Sequence, residues 1–96
     1  MLILVTYDVE TTTPEGQKRL RNVAKVCLNY GQRVQNSVFE CVIDFSQYTK
    51  FKLELKGIID SAKDSLRIYN LGNHYTTKVE AMGINHSHNL DGELII

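Results

Sequence analysis

A lone carboxylate, Asp8, lies near the end of the first apolar run of the chain, which extends from Leu2 to Val9. Functional groups in α/β sheets often follow the carboxyl ends of strands. Mg²⁺ prefers oxygen ligands and takes one or two carboxylates while keeping several waters. Asp8 is therefore a candidate metal ligand, and Tyr7 beside it is either an orienting catalytic hydroxyl or a core residue. An Asp after a strand is also common as a turn or cap residue, so that interpretation of Asp8 stays open.

One carboxylate provides few ligands for cleaving a phosphodiester, because two-metal sites use several ligands to stabilise the attacking and leaving oxygens. Symmetry offers a solution. If a two-fold axis passes near the end of the first strand, two Asp8 side chains face each other and can share one ion. A second copy would also add buried area, which benefits a chain of only 96 residues. The chemistry at Asp8 thus favours a homodimer.

Basic residues are concentrated in one segment, although the whole chain is balanced at 11 bases and 11 acids. Residues 1–15 contain three acids and no Lys or Arg, whereas residues 16–39 contain five bases and no acid. Bases gathered on a helix can neutralise phosphates and give salt-dependent affinity for nucleic acid. The alternative is an ordinary solvated helix face. The candidate nucleic-acid-binding residues are Lys18, Arg19, Arg21, Lys25, Arg33, Ser37 and Phe39.

The last three of these candidates belong to a predicted β-hairpin. The segment from Arg33 to Phe45 has the composition of strand and is interrupted by Asn36-Ser37, which predicts a tight turn between two short strands. Ser37 either hydrogen-bonds a phosphate or bonds its own turn, and Phe39 belongs to the core or to an interface. The hairpin would present Arg33 beside both.

The order of the predicted elements is strand, helix, two strands, helix, strand. This β-α-β-β-α-β order predicts one α/β (α+β) domain over residues 1–96 with ferredoxin-like topology, both helices on one face of the sheet. A second copy would cover the other face by sheet-to-sheet packing. The predicted bounds are a strand over 2–9, a helix from Thr12-Thr13-Pro14 to Gly31, the hairpin, a helix capped by Ser46, and a strand over 65–71.

Beyond the last strand, residues 76–82 are predicted as another short strand. Residues 83–96 are predicted to be a C-terminal tail, a loop over 83–92 followed by an apolar end, Leu94 to Ile96, that pairs as an edge strand. In the two helices, Leu20, Val23, Ala24, Cys27 and Leu28, and then Tyr48, Phe51, Leu55, Ile58, Ile59 and Ala62, recur at core spacing.

The two cysteines, Cys27 and Cys41, match no zinc spacing and lie in apolar patterns, which favours reduced core residues. No apolar stretch approaches the roughly 20 residues of a membrane helix, and no signal-peptide pattern opens the chain. These features favour a cytoplasmic protein with no membrane partner.

Two motifs at the right separation resemble the CRISPR-associated Cas2 family. The first is Val5-Thr6-Tyr7-Asp8-Val9, and the second is the segment from Gly31 to Glu40, with the sequence GQRVQNSVFE. The segment from Gln17 to Arg21, and the later Leu66 to Tyr69 and Leu71-Gly72, extend the resemblance to about Gly83. The C-terminal tail matches only in character.

The resemblance implies a ferredoxin-like homodimer in which the Asp8 of each subunit lies near the two-fold axis and forms a site for Mg²⁺, with Mn²⁺ as an alternative. It also implies that Arg33, with Ser37 and Phe39 alongside, and the bases of the first helix meet nucleic acid. Glu10 is not part of the family motif.

The family also implies two functional pictures. In one, the protein is a metal-dependent endonuclease that cuts duplex DNA or single-stranded RNA. In the other, it is a non-catalytic DNA-binding scaffold of the spacer-acquisition complex, where a partner integrase performs the strand transfer. The form of the motif is closest to the branch associated with duplex DNA, so a duplex-DNA endonuclease that takes part in spacer acquisition is the leading expectation.

Overall fold

The fold is a four-stranded antiparallel sheet with two helices, seen in a computed structural model that describes residues 1–83. The elements are β1 (Leu2–Asp8), α1 (Pro14–Tyr30), β2 (Gln32–Gln35), β3 (Val38–Val42), α2 (Phe45–Ile58) and β4 (Ser65–Gly72). The strands lie in the order β2-β3-β1-β4, and every neighbouring pair is antiparallel. This arrangement is the ferredoxin-like one, so the predicted topology is confirmed.

The two faces of the sheet differ in how they are covered. Side chains alternate along a strand, and Ile3, Val5 and Tyr7 of β1 turn inward and belong to the buried core, which also contains residues of α1 and α2. The opposite side, here called the open sheet face, follows from the strand register. It consists of Leu2, which Tyr75 covers, and of Leu4, Thr6, Asp8, Val38, Glu40, Val42, Arg67 and Tyr69. The helices therefore cover only one of the two apolar sides of β1.

The two ends of α1 show which residues begin and end this helix. The Thr13 hydroxyl accepts a hydrogen bond from the Gly16 backbone at 3.1 Å, and Pro14 opens the helix, so Thr13 rather than Thr12 is the cap. Gly31 follows the helix with extended backbone, not in the left-handed conformation expected of a glycine after a helix. Glycine is required because a Cβ would lie 2.2 Å from the Glu40 carbonyl oxygen. The end of α1 thus lies directly against β3.

Helix α2 begins one residue after Asp44, so the expected Ser46 cap is wrong. The Asp44 carboxylate accepts from the Gln47 backbone at 2.7 Å, and the Gln47 side chain accepts from the Asp44 backbone at 3.0 Å. This reciprocal capping box satisfies two backbone donors, which a Ser46 cap would not do. Two predicted core residues also lie outside the core: Leu28 is 54 % exposed, and Ala62 lies in the exposed turn after α2.

The chain after β4 does not form the strand predicted for residues 76–82. Residues 76–78 form a turn closed by a hydrogen bond from the Lys78 backbone to the Tyr75 carbonyl. Tyr75 is buried against Leu2, with Leu71 and Val79 beside it, so the apolar residues follow this packing rather than a strand alternation. The predicted edge strand at 94–96, and the loop over 83–92 beyond Gly83, lie outside the described residues. Within residues 1–83, no helix is long and apolar enough to span a membrane.

Candidate functional site

Asp8 lies at the end of the sheet where β1 finishes, and the turn between β2 and β3 lies at the same end. It is the last residue of β1, its side chain is exposed, and its backbone is in register with Ser65 at the start of β4. The Tyr7 backbone donates to the Ser37 carbonyl at 3.1 Å, which fixes the turn against the same end of β1. The structure therefore places the Asn36-Ser37 turn at the same end of the sheet as Asp8.

Tyr7 and Asp8 are adjacent in sequence but project to opposite sides of the sheet, because side chains alternate along a strand. Tyr7 is buried, and its ring stacks on Phe39 with the centroids 6.1 Å apart. Its hydroxyl donates to the Asn36 carbonyl at 3.4 Å. Burial raises the pKa of Tyr7, and nearby Cys27 adds to that effect while Arg33 opposes it. The geometry favours the core interpretation of Tyr7. Its neutral hydroxyl holds the turn in place and is not directed at the Asp8 carboxylate.

Arg33 and Phe39 form one unit on the helix side of the sheet. The Arg33 Nη1 donates to the Asn36 carbonyl at 2.7 Å, and its guanidinium lies 4.9 Å from the centre of the Phe39 ring. Phe39 is fully buried, so it is a core residue that supports Arg33. Beside this unit, between the turn and α1, is a surface pocket of about 410 Å³. Its lining is the Asn36-Ser37 turn together with Tyr7, Leu20, Arg21, Ala24 and Arg33.

The bases of α1 divide into two groups. Lys18, Arg21 and Lys25 are exposed and lie at helical spacing on one side of α1, as predicted. Arg19 instead is only 15 % exposed in its side chain and makes an ion pair with Asp64 at 2.8 Å. It also lies 3.8 Å from Glu10. Arg19 therefore differs from its neighbours, and sequence reasoning missed this because Asp64 is 45 residues away.

Asp64 is a structural centre that the sequence analysis did not identify. Its side chain is fully buried and accepts hydrogen bonds from the Asp60 backbone at 2.8 Å and the Glu10 backbone at 3.1 Å, besides those from Arg19. The hydrogen bond from Arg19 holds the pKa of Asp64 below its ordinary value, against the opposing effect of desolvation. Asp64 thus ties α1 and the turn before β4 to the loop that follows Asp8. An Asp in a helix-to-strand turn was the available signal, and it is not specific.

We expect Asp64→Asn to lower the melting temperature by about 10 °C at neutral pH, because hydrogen bonds to a buried charged group are among the stronger ones. The folded-state pKa of Asp64 is depressed, so its stabilisation is complete above the unfolded value of about 3.9. It is lost as the pH falls through the lower folded value. Calorimetry from pH 7 to pH 2 should therefore show the two proteins converging in acid.

Glu80→Gln, at an exposed position, is the matched control for that experiment and should melt like the wild type. A melting temperature of Asp64→Asn within 2 °C or so of the wild type at pH 7 would show that the network contributes little, as exposed ion pairs do.

Metal ligands are sparse in the described part of the chain. Within residues 1–83, no group of three or more His, Cys, Asp or Glu side chains could hold a metal ion. The two cysteines are buried, and desolvation raises the pKa of each thiol to about 12, with smaller electrostatic contributions, which fits reduced core residues. An ion at Asp8 would therefore keep water ligands or take further ligands from a second chain.

The fold and the side chains at the end of β1 define a small ferredoxin-like α+β protein. It carries an exposed carboxylate at the end of β1 and an exposed row of bases on α1. The family described as CRISPR associated protein Cas2 matches residues 1–79. The chain belongs to this family, which confirms the resemblance inferred from the two motifs.

Curated relatives match along the whole chain. The chain is 62 % identical over 95 residues to the CRISPR-associated endonuclease Cas2 of Halalkalibacterium halodurans, covering 99 % of both chains. It is 51 % identical over 96 residues to the CRISPR-associated endoribonuclease Cas2 of Chlorobaculum tepidum, covering 100 % of both. These names bear out the expectation that the chain is a nuclease, and only the second of them specifies a substrate, RNA.

Solved structures support the fold independently. The crystal structure of Streptococcus pyogenes Cas2 at pH 6.5 superposes with a TM-score of 0.75 at 54 % identity and covers 86 % of this chain and 100 % of that one. A hypothetical protein from Thermus thermophilus gives a TM-score of 0.71 at 31 % identity, over 88 % of this chain and 92 % of that one.

Proposed function

We propose that this protein is a Mg²⁺-dependent endonuclease that works as a homodimer on duplex DNA and takes part in spacer acquisition for antiviral defence. The observation that carries the proposal is the exposed Asp8 carboxylate at the end of β1, in a chain whose curated relatives are named as nucleases. Proposed partners are a second copy of the chain, nucleic acid and an integrase of the same defence system. The proposed compartment is the cytoplasm.

The donor at Asp8 fits Mg²⁺. The ion takes one or two carboxylates and keeps several waters, and an exposed carboxylate leaves room for those waters. Mn²⁺ accepts the same oxygen ligands. When bound, such an ion supplies charge that polarises a phosphate and lowers the pKa of a bound water. Asp8 holds the ion in this proposal, while Arg33 and the α1 bases hold the phosphate backbone.

The open sheet face supports a homodimer. Two of its side chains, Tyr69 and Val42, are 43 % and 36 % exposed, and Leu4 lies between their strands in the sheet. Burying apolar area of this kind is favourable, and two sheets pack face to face through such surfaces. Asp8 belongs to the same side of β1 as Leu4, so a two-fold interface here would bring the two carboxylates toward each other.

The exposed row of Lys18, Arg21 and Lys25 supports nucleic acid as the substrate. Lys and Arg side chains that neutralise phosphates give affinity that is independent of sequence and falls with salt. Duplex DNA is preferred over RNA because the sequence form of the segment from Gln32 to Ser37 resembles the duplex-cutting branch. Single-stranded RNA is the alternative substrate, and the curated name of the Chlorobaculum relative favours it.

The test is cleavage of linear duplex DNA and single-stranded RNA of equal length by the purified protein, at fixed low salt, with Mg²⁺ or with chelator. We expect duplex DNA to be cut with Mg²⁺ and not in chelator. Sedimentation at the assay concentration should give twice the 11.0 kDa mass of the chain. If only RNA were cut, RNA would replace duplex DNA as the proposed substrate. If neither were cut, the proposal of an enzyme would be overturned.

A scaffold without chemistry is the second candidate, and the sparse ligand set within residues 1–83 favours it. In this alternative the dimer holds duplex DNA and the integrase, and the integrase alone performs the strand transfer. It differs from the first proposal in cells: spacer acquisition would survive Asp8→Asn and would be lost when the exposed α1 bases are replaced.

A further inference from the structure

The pocket between α1 and the β2–β3 turn, here called the Arg21–Arg33 pocket, is not explained by contacts to a phosphate backbone alone. Its volume of about 410 Å³ lies within the 300–1,000 Å³ or so of typical small-ligand pockets. A phosphate held at a helix surface needs no such volume. The pocket therefore has room for a group larger than an anion.

The polar lining of the pocket is cationic. Arg21 and Arg33 contribute guanidinium groups, Ser37 contributes a hydroxyl, and no lining residue is acidic. Arg33 is held in position by its hydrogen bond to the Asn36 carbonyl and by the Phe39 ring beneath it. A fixed guanidinium loses less entropy on binding and offers phosphates a planar, multidentate donor. The polar side of the ligand is therefore an anion of the phosphate type.

The rest of the lining is apolar. Leu20 and Ala24 lie one turn apart on α1, are half-buried, and form a floor beside the ring of Tyr7. A flat apolar group next to a phosphate is the chemistry of a nucleobase, and guanidinium planes stack on bases.

We propose that the Arg21–Arg33 pocket holds one nucleotide that is unstacked from its neighbours, with its base over Leu20 and Ala24 and its phosphate at Arg21 and Arg33. The inference rests on the proposed function, because it names the part of the nucleic acid that this site takes. A nucleotide already unpaired or at a strand end enters without the cost of breaking a stack. The protein should thus favour ends and distorted sites over continuous duplex.

The test compares two ligands of equal charge: a trideoxythymidylate and a chain of three abasic deoxyribose phosphates. Binding is measured in chelator by titration of the nitrogen-15-labelled full chain, following the amides of Ala24 and Ser37. We expect the ligand with bases to bind about tenfold more tightly, near the lower end of what one base stacked on an aromatic side chain contributes, because most of this floor is aliphatic. Equal affinities, or shifts confined to other residues, would overturn the inference.

Two variants separate the base from the phosphate. Ala24→Leu fills the floor with a good helix former and should remove the tenfold preference while leaving the salt dependence of binding unchanged. Arg33→Lys keeps the charge but loses the planar group that holds the phosphate, and should weaken binding of both ligands by about threefold while leaving the preference for bases unchanged. Lys50→Ala, on α2 and exposed, is the control and should bind both ligands as the wild type does.

The binding measured in chelator does not depend on nuclease activity, because the chelator removes divalent metal ions. If a long duplex binds with strong salt dependence but neither short ligand shows a preference, the pocket inference fails and the proposed function stands. If neither the long duplex nor the short ligands bind, both fail. A preference that persists in Ala24→Leu would place the base elsewhere and overturn the inference.

Discussion

Asp8→Asn should lower Mg²⁺-dependent cleavage by at least about 100-fold, because even residues that only orient a metal ligand contribute 10–100-fold. Asparagine keeps the shape of the side chain but removes the negative charge that attracts a divalent ion. Asp8 is exposed at the end of β1, so the substitution should not disturb the core. The measurement is the initial rate on the preferred substrate over a range of Mg²⁺ concentrations.

Glu15→Gln is the matched control, since Glu15 is an exposed acid close in sequence and makes the same change of charge. It should cut at the wild-type rate. Both variants should melt within 2 °C or so of the wild type, as expected of surface substitutions. An Asp8→Asn protein that cuts normally would remove the carboxylate from the mechanism, and cutting that survives chelator as well would indicate a contaminating nuclease.

The elements predicted correctly depend on signals that lie within a few residues of one another. Pro14 after Thr13 marks the start of α1, and Asn36-Ser37 marks the hairpin turn. The Ser46 cap was wrong for a local reason as well. Ser and Asp both cap helices, and Asp44 prevails because Gln47 stands three residues later and completes the capping box.

Contacts between distant segments were not predictable in the same way. The basic block from residue 16 to residue 39 contains no acid, so Arg19 had the same expected role as Arg21. The fold brings Asp64 against Arg19 and leaves Arg21 exposed. Nothing within one helical turn of Arg19 indicates this partner. The position of Asp8 at the end of β1 was therefore predictable from the sequence, whereas which of the charges face solvent was not.

Replacing Lys18, Arg21 and Lys25 with alanine should weaken binding to duplex DNA by about 100-fold at low salt. Each phosphate contact adds about 0.9 to the slope of log affinity against log salt. Three lost contacts should therefore flatten that slope by roughly 2.7, whatever the DNA sequence. The measurement is fluorescence anisotropy of a labelled duplex at several salt concentrations in chelator, so that cleavage does not interfere.

The matched control is the triple variant Lys50→Ala, Lys52→Ala and Lys56→Ala, which removes the same charge from the exposed side of α2. If the effect of the α1 variant came only from net charge, both variants would flatten the slope equally, and the assignment of α1 as the contact surface would be wrong. Arg19→Ala is a second control, because it removes a base of α1 that is not in the exposed row. Because Arg19 is paired with Asp64, we expect this variant to lower the melting temperature and to leave the salt slope close to that of the wild type.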